Sequence, residues 1–245
     1  MSKAKTPIVE VENFSLKLGG KTIVDQLNFE VYSGEIFALL GANGSGKTST
    51  IRSLLNIYTT ATGKLHVNGE PYSIEMASNV GYLPEERGLY TRNTAIDVMT
   101  YFGELKGMER SKARDFSLNY LDRVGLKDKA DIKVKKLSGG QQQKIQLGIA
   151  IMGDPKLLIL DEPTKGLDPV NRVLLIDTIK ELRDQGVAII YTTHLMEEVE
   201  RNADRLAIIR NGERVAYGAV DAVKQEFSAE TIEEVFVHLY EGEPA

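Results

Sequence analysis

The fold is decided by the stretch Ile36-Phe37-Ala38-Leu39-Leu40-Gly41-Ala42-Asn43-Gly44-Ser45-Gly46-Lys47-Thr48-Ser49-Thr50. Its first five residues form a continuous apolar run, which predicts a buried strand, and residues 47–55 predict the start of a helix. Between them, residues 41–48 match G-x-x-x-x-G-K-[ST], the pattern of a P-loop. Glycines let successive N–H groups turn toward one anion, and the following helix adds the positive end of its dipole. The stretch therefore predicts a strand, a phosphate-binding loop and a helix, in that order.

The side chains of this loop predict a site for a nucleotide and Mg²⁺. Lys47 is expected to reach the β- and γ-phosphates, and the Thr48 hydroxyl is expected to bind Mg²⁺. The predicted nucleotide-binding residues are Gly41, Ala42, Asn43, Gly44, Ser45, Gly46, Lys47, Thr48 and Ser49. The alternative is a glycine-rich turn that binds nothing, and it is disfavoured because the strand, the loop, the Lys-Thr pair and the helix occur in sequence.

The composition of the chain excludes several classes of function. Its 245 residues carry a net charge of −5, which disfavours nucleic acid as a partner because such partners usually require a basic face. The absence of cysteine excludes disulfides, thiolate catalysis and cysteine-based zinc sites, and is compatible with the cytosol. We find no apolar signal segment and no run near the roughly 20 residues that span a bilayer. If the protein works at a membrane, we expect another polypeptide to provide the spanning part.

Alternating and helical patterns predict an α/β fold with helices on both faces of a sheet. Before the P-loop, residues 8–18 and 23–31 alternate apolar with polar side chains, which predicts two strands of an antiparallel hairpin or meander. Further strands are predicted over residues 64–67, 80–84, 157–160, 187–191 and 205–209. Helices are expected over residues 141–152 and 170–183 and after His194.

Helical periodicity also marks residues 94–124. Thr94 and Ser111 are predicted to cap two helices there, and Gly125 is predicted to end the second. These helices predict a helical insertion between about residues 92 and 136, although periodicity alone leaves open that they simply continue the α/β core. Two short helices are expected near residues 220–227 and 231–240.

A second chemical signal lies where the apolar strand Leu157-Leu158-Ile159-Leu160 ends in Asp161 and Glu162. Strands of this kind deliver such side chains to the carboxyl edge of the sheet, where open α/β folds bind nucleotides. Asp161 is expected to hold Mg²⁺ through its water shell, and Glu162 to orient and activate a water facing the γ-phosphate. The alternative, helix capping or solvated charge, is disfavoured by the P-loop upstream.

The stretch Leu137-Ser138-Gly139-Gly140-Gln141 predicts another anion site. A Ser-Gly-Gly turn that opens a helix offers a hydroxyl, open N–H groups and a helix dipole. One nucleotide does not need two such sites from one chain. We therefore expect this loop to bind the γ-phosphate held by a second subunit, although an ordinary N-cap is what the local sequence alone favours.

The LSGGQ sequence, lying between the P-loop and the Asp161 strand, resembles the ATP-binding subunit of an ABC transporter over residues 8–217. Residues 81–90 and 166–171 further resemble the bacterial and archaeal exporter group of sodium-efflux and drug-resistance ATPases. The resemblance implies one ABC ATPase domain with a RecA-like mixed sheet flanked by helices and an N-terminal antiparallel β subdomain. Its implied parts are a core over residues 8–91 and 137–217, a helical insertion over 92–136, and short C-terminal helices over 218–245. The regulatory extension found in many members is expected to be truncated or absent.

The resemblance also implies roles for individual residues. His194 matches the histidine that contacts the γ-phosphate and the catalytic water, whereas His66 and His238 have no comparable context. Asp168 is implied to link the two ATP sites of a head-to-tail dimer with a second ATPase subunit, identical or closely related. The residues implied to bind ATP across that dimer are Ser138, Gly139, Gly140, Gln141 and Asp168.

Two positions depart from the family pattern. Glu85 stands where the family usually has glutamine, in the loop that senses Mg²⁺ and water. Its carboxylate is still expected to act in catalysis and to bind Mg²⁺ through water, but it cannot donate a hydrogen bond when ionised. Leu18 stands where an aromatic ring usually stacks on adenine, which forgoes roughly 0.5–1.5 kcal/mol of ring stacking.

The implied function is hydrolysis of ATP to power a separate transmembrane permease, with an exporter favoured and an importer subunit also open. The permease is expected to dock near residues 85–90 and to place the chain in the cytoplasm, on the inner face of the cell membrane. A different class, a soluble ABC ATPase that clamps a ribosome, nucleic acid or assembly complex, usually carries a second ATPase core or long coiled coils, which this chain lacks. An interaction module with an inactive site conflicts with the intact Lys47, Asp161, Glu162 and His194.

Overall fold

The computed structural model describes residues 6–59, 61–86 and 88–240. Residues 1–5, Arg87 of the exporter-like stretch and residues 241–245 of the expected C-terminal segment lie outside the described residues. The strands are β1 (Val9–Leu18), β2 (Lys21–Val31), β3 (Ile36–Leu40), β4 (Thr62–Val67), β5 (Glu70–Pro71), β6 (Val80–Leu83), β7 (Leu157–Asp161), β8 (Ala188–Thr193), β9 (Arg205–Arg210) and β10 (Glu213–Ala219). The helices are α1 (Lys47–Leu54), α2 (Ala95–Leu105), α3 (Arg110–Arg123), α4 (Gly139–Ile151), α5 (Pro169–Asp184), α6 (Met196–Asn202), α7 (Val220–Glu226) and α8 (Ile232–Tyr240).

The described residues divide into two compact units. The first contains residues up to 73 and from 182 onward, and the second contains residues 74–181. In the described ranges, no helix has both the length and the hydropathy that crossing a bilayer requires.

The first unit contains an antiparallel sheet with the strand order β2-β1-β4-β5. The predicted hairpin of the N-terminal residues is confirmed, because β1 and β2 pair antiparallel. Val9, Val11, Phe14 and Leu16 of β1 lie in the core, and the alternation is interrupted between Val11 and Phe14, where the register shifts and Asn13 has a φ of 49°. This sheet is the antiparallel β part that the sequence predicted.

A second group of strands in the first unit has the order β10-β9-β3-β8. All five residues of β3 are buried, and β3 is parallel to both β8 and β9. The buried apolar run before the P-loop is thus an inner strand, as predicted. Apolar side chains of α6, α7 and α8 join those of β3 and β9 in one core cluster, which includes Ala38, Leu40, Val199, Leu206, Ile208, Val223, Ile232 and Val235.

The second unit pairs β6 with β7 in parallel and packs α4 against β6. Gly81 of β6 makes this packing possible, because a Cβ at that position would lie only 2.3 Å from the Ala150 carbonyl oxygen of α4. Helices α2 and α3 also pack closely at Gly103, where a Cβ would lie 2.6 Å from Cβ of Ala113. The second unit therefore depends on small residues at its element contacts.

Most helix boundaries follow the sequence pattern, and one capping prediction is wrong. Thr94 caps α2 as predicted, since its hydroxyl accepts a hydrogen bond from the Asp97 N–H at 3.2 Å. Ser111 does not cap α3, because that helix begins at Arg110 with Glu109 in the N-cap position. The Ser111 hydroxyl donates instead to the Glu109 carboxylate at 2.6 Å.

Strand β10 was not predicted. It pairs antiparallel with β9 across a turn in which Asn211 and Gly212 both have positive φ. Asn-Gly between two strand patterns is a strong hairpin signal, so the sequence did contain the cue.

Candidate nucleotide site

The P-loop joins β3 to α1 in the first unit, as the sequence predicted. Lys47 is buried, and its ammonium donates hydrogen bonds to the carbonyl oxygens of Gly41 at 2.8 Å and Ala42 at 3.2 Å. The side chain therefore lies across the loop that it belongs to. This geometry holds a positive charge beside the N–H groups that open α1, which favours an anion there.

The glycines of the loop are required by space as well as by backbone conformation. Gly46, the N-cap of α1, has a φ of 110°, and a Cβ there would lie 2.9 Å from the Val24 side chain. A Cβ at Gly41 would lie 2.3 Å from the Ile209 carbonyl oxygen. The buried Ser45 hydroxyl has no hydrogen-bond partner among the described residues. An unpartnered hydroxyl in a loop where a Cβ at Gly41 or Gly46 would not fit suits a phosphate group.

Two other predicted residues belong to the same unit. His194 follows β8 directly and is exposed. Leu18 ends β1, is half-buried, and pairs with Lys21 across the Gly19-Gly20 turn. Position 18 thus presents an aliphatic side chain, and no ring is available there to stack on a base.

The acidic strand end lies in the second unit. Every residue of β7 is buried, and Asp161 and Glu162 are 1% and 7% exposed. Glu162 also has a φ of 50°, a left-handed conformation that costs a non-glycine residue roughly 1–2 kcal/mol. Backbone strain of this kind concentrates at functional sites, which supports the assignment of a function to the Glu162 carboxylate.

Glu85 has a partner that the sequence analysis missed. The Lys165 ammonium lies 2.6 Å from one Glu85 carboxylate oxygen. The hydrogen bond and charge of Glu85, together with the charge of Glu162, raise the pKa of Lys165. Because these residues are 80 positions apart in the sequence, no local pattern could have paired them.

The Ser-Gly-Gly turn opens α4, as predicted. The Ser138 hydroxyl accepts a hydrogen bond from the Gln141 N–H at 3.3 Å, and the Gln141 side chain accepts one from the Ser138 N–H at 3.0 Å. This reciprocal pair is a capping box. The N–H groups of Gly139 and Gly140 are among the first of the helix, which no intrahelical carbonyl reaches. The helix start is therefore both well capped and open to an anion.

Asp168 is placed just before α5. One of its carboxylate oxygens accepts a hydrogen bond from the Asn171 N–H at 3.0 Å, and the other accepts one from the Asn171 side chain. These hydrogen bonds lower the pKa of Asp168. Asp168 therefore stays charged at neutral pH, with its orientation fixed by Asn171.

Each unit contains at least one of the oxygen ligands predicted for Mg²⁺. Thr48 offers a hydroxyl and Asp161 a carboxylate, the oxygen ligands that Mg²⁺ prefers. Among the described residues, no cluster of three or more acidic or histidine side chains could hold a metal alone.

The predicted residues are divided between the two units. The first unit brings together the P-loop (residues 41–49), Leu18 and His194. The second contains Glu85, the Ser138–Gln141 turn, Asp161, Glu162 and Asp168. A P-loop, an acidic strand end and a Ser-Gly-Gly helix start in one chain define the class of ATP-binding cassette proteins.

The comparison with protein families agrees with this class. The family model described as "ABC transporter" matches residues 24–165. An ABC transporter ATP-binding protein of Methanocaldococcus jannaschii, itself uncharacterised, is 42% identical over 89% of this chain and 79% of its own length. The chain belongs to the ABC transporter family and is an ATP-binding subunit of an ABC transporter.

Named relatives include proteins of export and resistance systems. The linearmycin resistance ATP-binding protein of Bacillus subtilis is 36% identical, over 92% of this chain and 73% of the relative. The Nod factor export ATP-binding protein I of Sinorhizobium fredii is also 36% identical, over 100% of this chain and 71% of the relative.

Solved structures confirm the fold class. A structure described as the ATP-binding subunit of an ABC transporter superimposes with a TM-score of 0.88 at 26% identity, covering 95% of this chain and 99% of the other. The P-loop ATPase fold with its antiparallel β part, expected from the sequence, is thus correct.

Proposed function

We propose that this chain hydrolyses ATP to power a separate transmembrane permease, through ATP-driven closure of a head-to-tail dimer of ATPase subunits. The observation that carries the proposal is the presence of two helix starts suited to phosphate in one chain, at Lys47 and at Ser138. A single nucleotide needs only one of them. In a dimer, the second helix start serves the nucleotide held by the other subunit.

The catalytic roles follow from the chemistry of each side chain. Glu162 orients a water and accepts its proton as the water oxygen attacks the γ-phosphorus and the bond to the β–γ bridging oxygen breaks. Lys47 stabilises the charge on the phosphates, and His194 positions the γ-phosphate. Mg²⁺, when bound, supplies further neutralisation of that charge, and Thr48, Asp161 and Glu85 would hold it, the carboxylates through water.

Residues of the second unit would make the contacts with the nucleotide of the partner subunit. Ser138, Gly139, Gly140 and Gln141 would bind the γ-phosphate held by the partner subunit. Asp168, charged and oriented by Asn171, would connect the two sites. In this arrangement the α/β core covers residues 8–91 and 137–217, the helical insertion covers 92–136, and the short helices α7 and α8 follow.

The permease is proposed to dock beside residues 85–90. Tyr90 and Tyr101 are 54% and 43% exposed, and their ring centroids are 5.6 Å apart. Phe102 stacks on Tyr90 at 5.9 Å. An exposed aromatic group of this kind is typical of protein interfaces. The relative named for Nod factor export supports an exporter, and docking would place the chain in the cytoplasm on the inner face of the membrane.

The decisive experiment is light scattering of purified Glu162→Gln with and without Mg·ATP. Removing the base should trap the closed dimer, so we expect a monomer that becomes a dimer on addition of Mg·ATP. Adding Ser138→Arg to the same variant should keep it monomeric, because a bulky cation would block the helix start. The control is Glu226→Gln, at an exposed position of α7. This variant should retain ATP turnover and should not accumulate as a dimer in Mg·ATP.

A Glu162→Gln protein that binds Mg·ATP and remains monomeric would contradict closure as a homodimer. Turnover by Glu162→Gln equal to that of the wild type would contradict the role of Glu162 as the base. Co-purification of the chain with its tagged permease, lost when Tyr90 and Tyr101 are both changed to alanine, would test the docking site.

A further inference from the structure

We infer that Lys165 is a positioning residue for ATP hydrolysis, whose ammonium holds the Glu85 carboxylate in place and cancels its charge. The inference rests on the proposed function. It assigns a role to a residue in the turn between Glu162 and Asp168 that the family pattern did not single out.

The geometry of the pair connects two segments of the predicted site. Glu85 lies two residues beyond β6, and Lys165 lies four residues beyond the end of β7. The ion pair of 2.6 Å therefore joins the loop after β6 to the turn after β7. The Lys165 N–H also donates a hydrogen bond to the Glu162 carbonyl oxygen at 3.2 Å. The position of the Lys165 backbone is thus linked to that of Glu162, the residue proposed as the base.

Charge explains why such a pair is needed. A glutamine at position 85 would bring no charge, whereas Glu85 adds a carboxylate to a set that already contains Asp161 and Glu162. Like charges at one site oppose each other and oppose the approach of phosphate. Lys165 returns the net charge of the pair to zero. The charge of Glu162 also raises the pKa of Lys165, so the ammonium responds to both carboxylates.

Stability alone does not explain the pair. The Lys165 and Glu85 side chains are 59% and 37% exposed. Ion pairs in such exposed positions contribute little to folding, because water and salt screen the attraction and both side chains lose rotamer freedom. The pair acts instead by fixing the position of the Glu85 carboxylate and by reducing the negative charge near Glu162.

The test is a double-mutant cycle in steady-state ATPase assays, using Lys165→Met, Glu85→Gln and the two combined. Each single change leaves one charge unmatched, so we expect kcat to fall by about three- to fivefold, with KM for ATP changed by less than about twofold. The combined change removes both charges and should restore kcat to within about twofold of the wild type. Lys165→Arg keeps the ion pair and should retain most of the rate.

The control is Lys127→Met, which breaks a more exposed ion pair with Asp122 at 3.0 Å outside the predicted site. Its kcat should equal that of the wild type. A Lys165→Met enzyme with wild-type kcat would overturn the inference, and so would a combined variant whose loss equals the product of the two single losses. Failure of the wild type itself to hydrolyse Mg·ATP would reject the proposed function, and the inference with it. Wild-type turnover with an unaffected Lys165→Met would reject the inference alone.

Discussion

The side-chain amide of Gln143 donates a hydrogen bond to the carbonyl oxygen of Pro163 at 2.9 Å, and both groups are buried. Gln143 lies in the second turn of α4, the helix that Ser138 caps. Pro163 follows Glu162 immediately. This single hydrogen bond therefore ties the helix proposed to bind the partner's nucleotide to the segment proposed to activate water.

Replacing Gln143 with methionine should destabilise the protein. The change keeps the volume of the side chain but leaves a buried carbonyl oxygen without its donor, at a cost of roughly 1–3 kcal/mol in the free energy of unfolding. Urea unfolding monitored by circular dichroism measures that cost. A matched control is Gln225→Met on the exposed face of α7, which should change the free energy by less than about 0.5 kcal/mol. Equal midpoints for the two variants would show that the hydrogen bond contributes nothing.

Lys106 should make the stability of the protein rise with pH. Its ammonium donates hydrogen bonds to the carbonyl oxygens of Ala150 at 2.8 Å and Met152 at 3.0 Å, at the end of α4. Burial lowers the pKa of Lys106 to about 8, from an ordinary value of 10.5. Between these values the unfolded chain binds the proton and the folded protein does not, so unfolding becomes less favourable as the pH increases.

The measurement is the free energy of unfolding of wild type and Lys106→Met at pH 7.5 and pH 9.5. We expect the wild type to gain about 1–2 kcal/mol relative to the variant over this interval. Below pH 7.5 the two curves should run parallel, because Lys106 is protonated in both the folded and the unfolded state. A constant difference between the proteins across the whole range would contradict a lowered pKa of Lys106.

Gly148 should not tolerate a side chain, although alanine is the better helix former. A Cβ at this position of α4 would lie 2.5 Å from Cε1 of Tyr120 and 2.7 Å from Cε of Met99. The Tyr120 ring cannot move away freely, because its hydroxyl donates to the Lys144 carbonyl oxygen at 2.8 Å. Gly148→Ala should therefore lower the thermal midpoint, since overpacking costs about 1–3 kcal/mol against a propensity gain of roughly 1 kcal/mol.

Gly88→Ala is the control for that experiment, since a Cβ at Gly88 would meet nothing within 4 Å. Its thermal midpoint should match that of the wild type. A Gly148→Ala protein that melts above the wild type would show that helix propensity outweighs the clash with Tyr120.

The parts predicted correctly are those whose cause is local in the sequence. The P-loop, the buried run before Asp161 and the Ser138 cap each depend on residue types within about ten positions, so pattern and propensity suffice to find them. Strand β10 also had a local signal, Asn211-Gly212, and was missed because residues 213–219 carry little continuous apolar character.

The parts that sequence reasoning missed depend on contacts between distant residues. Lys165 meets Glu85 only because β6 and β7 run side by side and carry their following loops to the same edge. The hydrogen bond of Gln143 also depends on tertiary structure, because its partner Pro163 lies 20 positions away. The periodicity of a single sequence predicts helices and strands. It does not predict which side chains of distant elements will meet.

Leu18→Tyr should tighten ATP binding if position 18 contacts adenine, as the family resemblance implies. Leu18 is half-buried and ends β1 beside the Gly19-Gly20 turn. An aromatic ring stacked on the base adds roughly 0.5–1.5 kcal/mol, which corresponds to about a two- to tenfold lower Kd. Titration of the nucleotide by calorimetry, with ATP and with inorganic triphosphate, separates the base from the phosphates. Only ATP should bind more tightly, and Leu18→Met, which adds no ring, should leave both affinities unchanged. An equal gain for triphosphate would assign the effect of the substitution to the phosphate loop and would remove Leu18 from the adenine site.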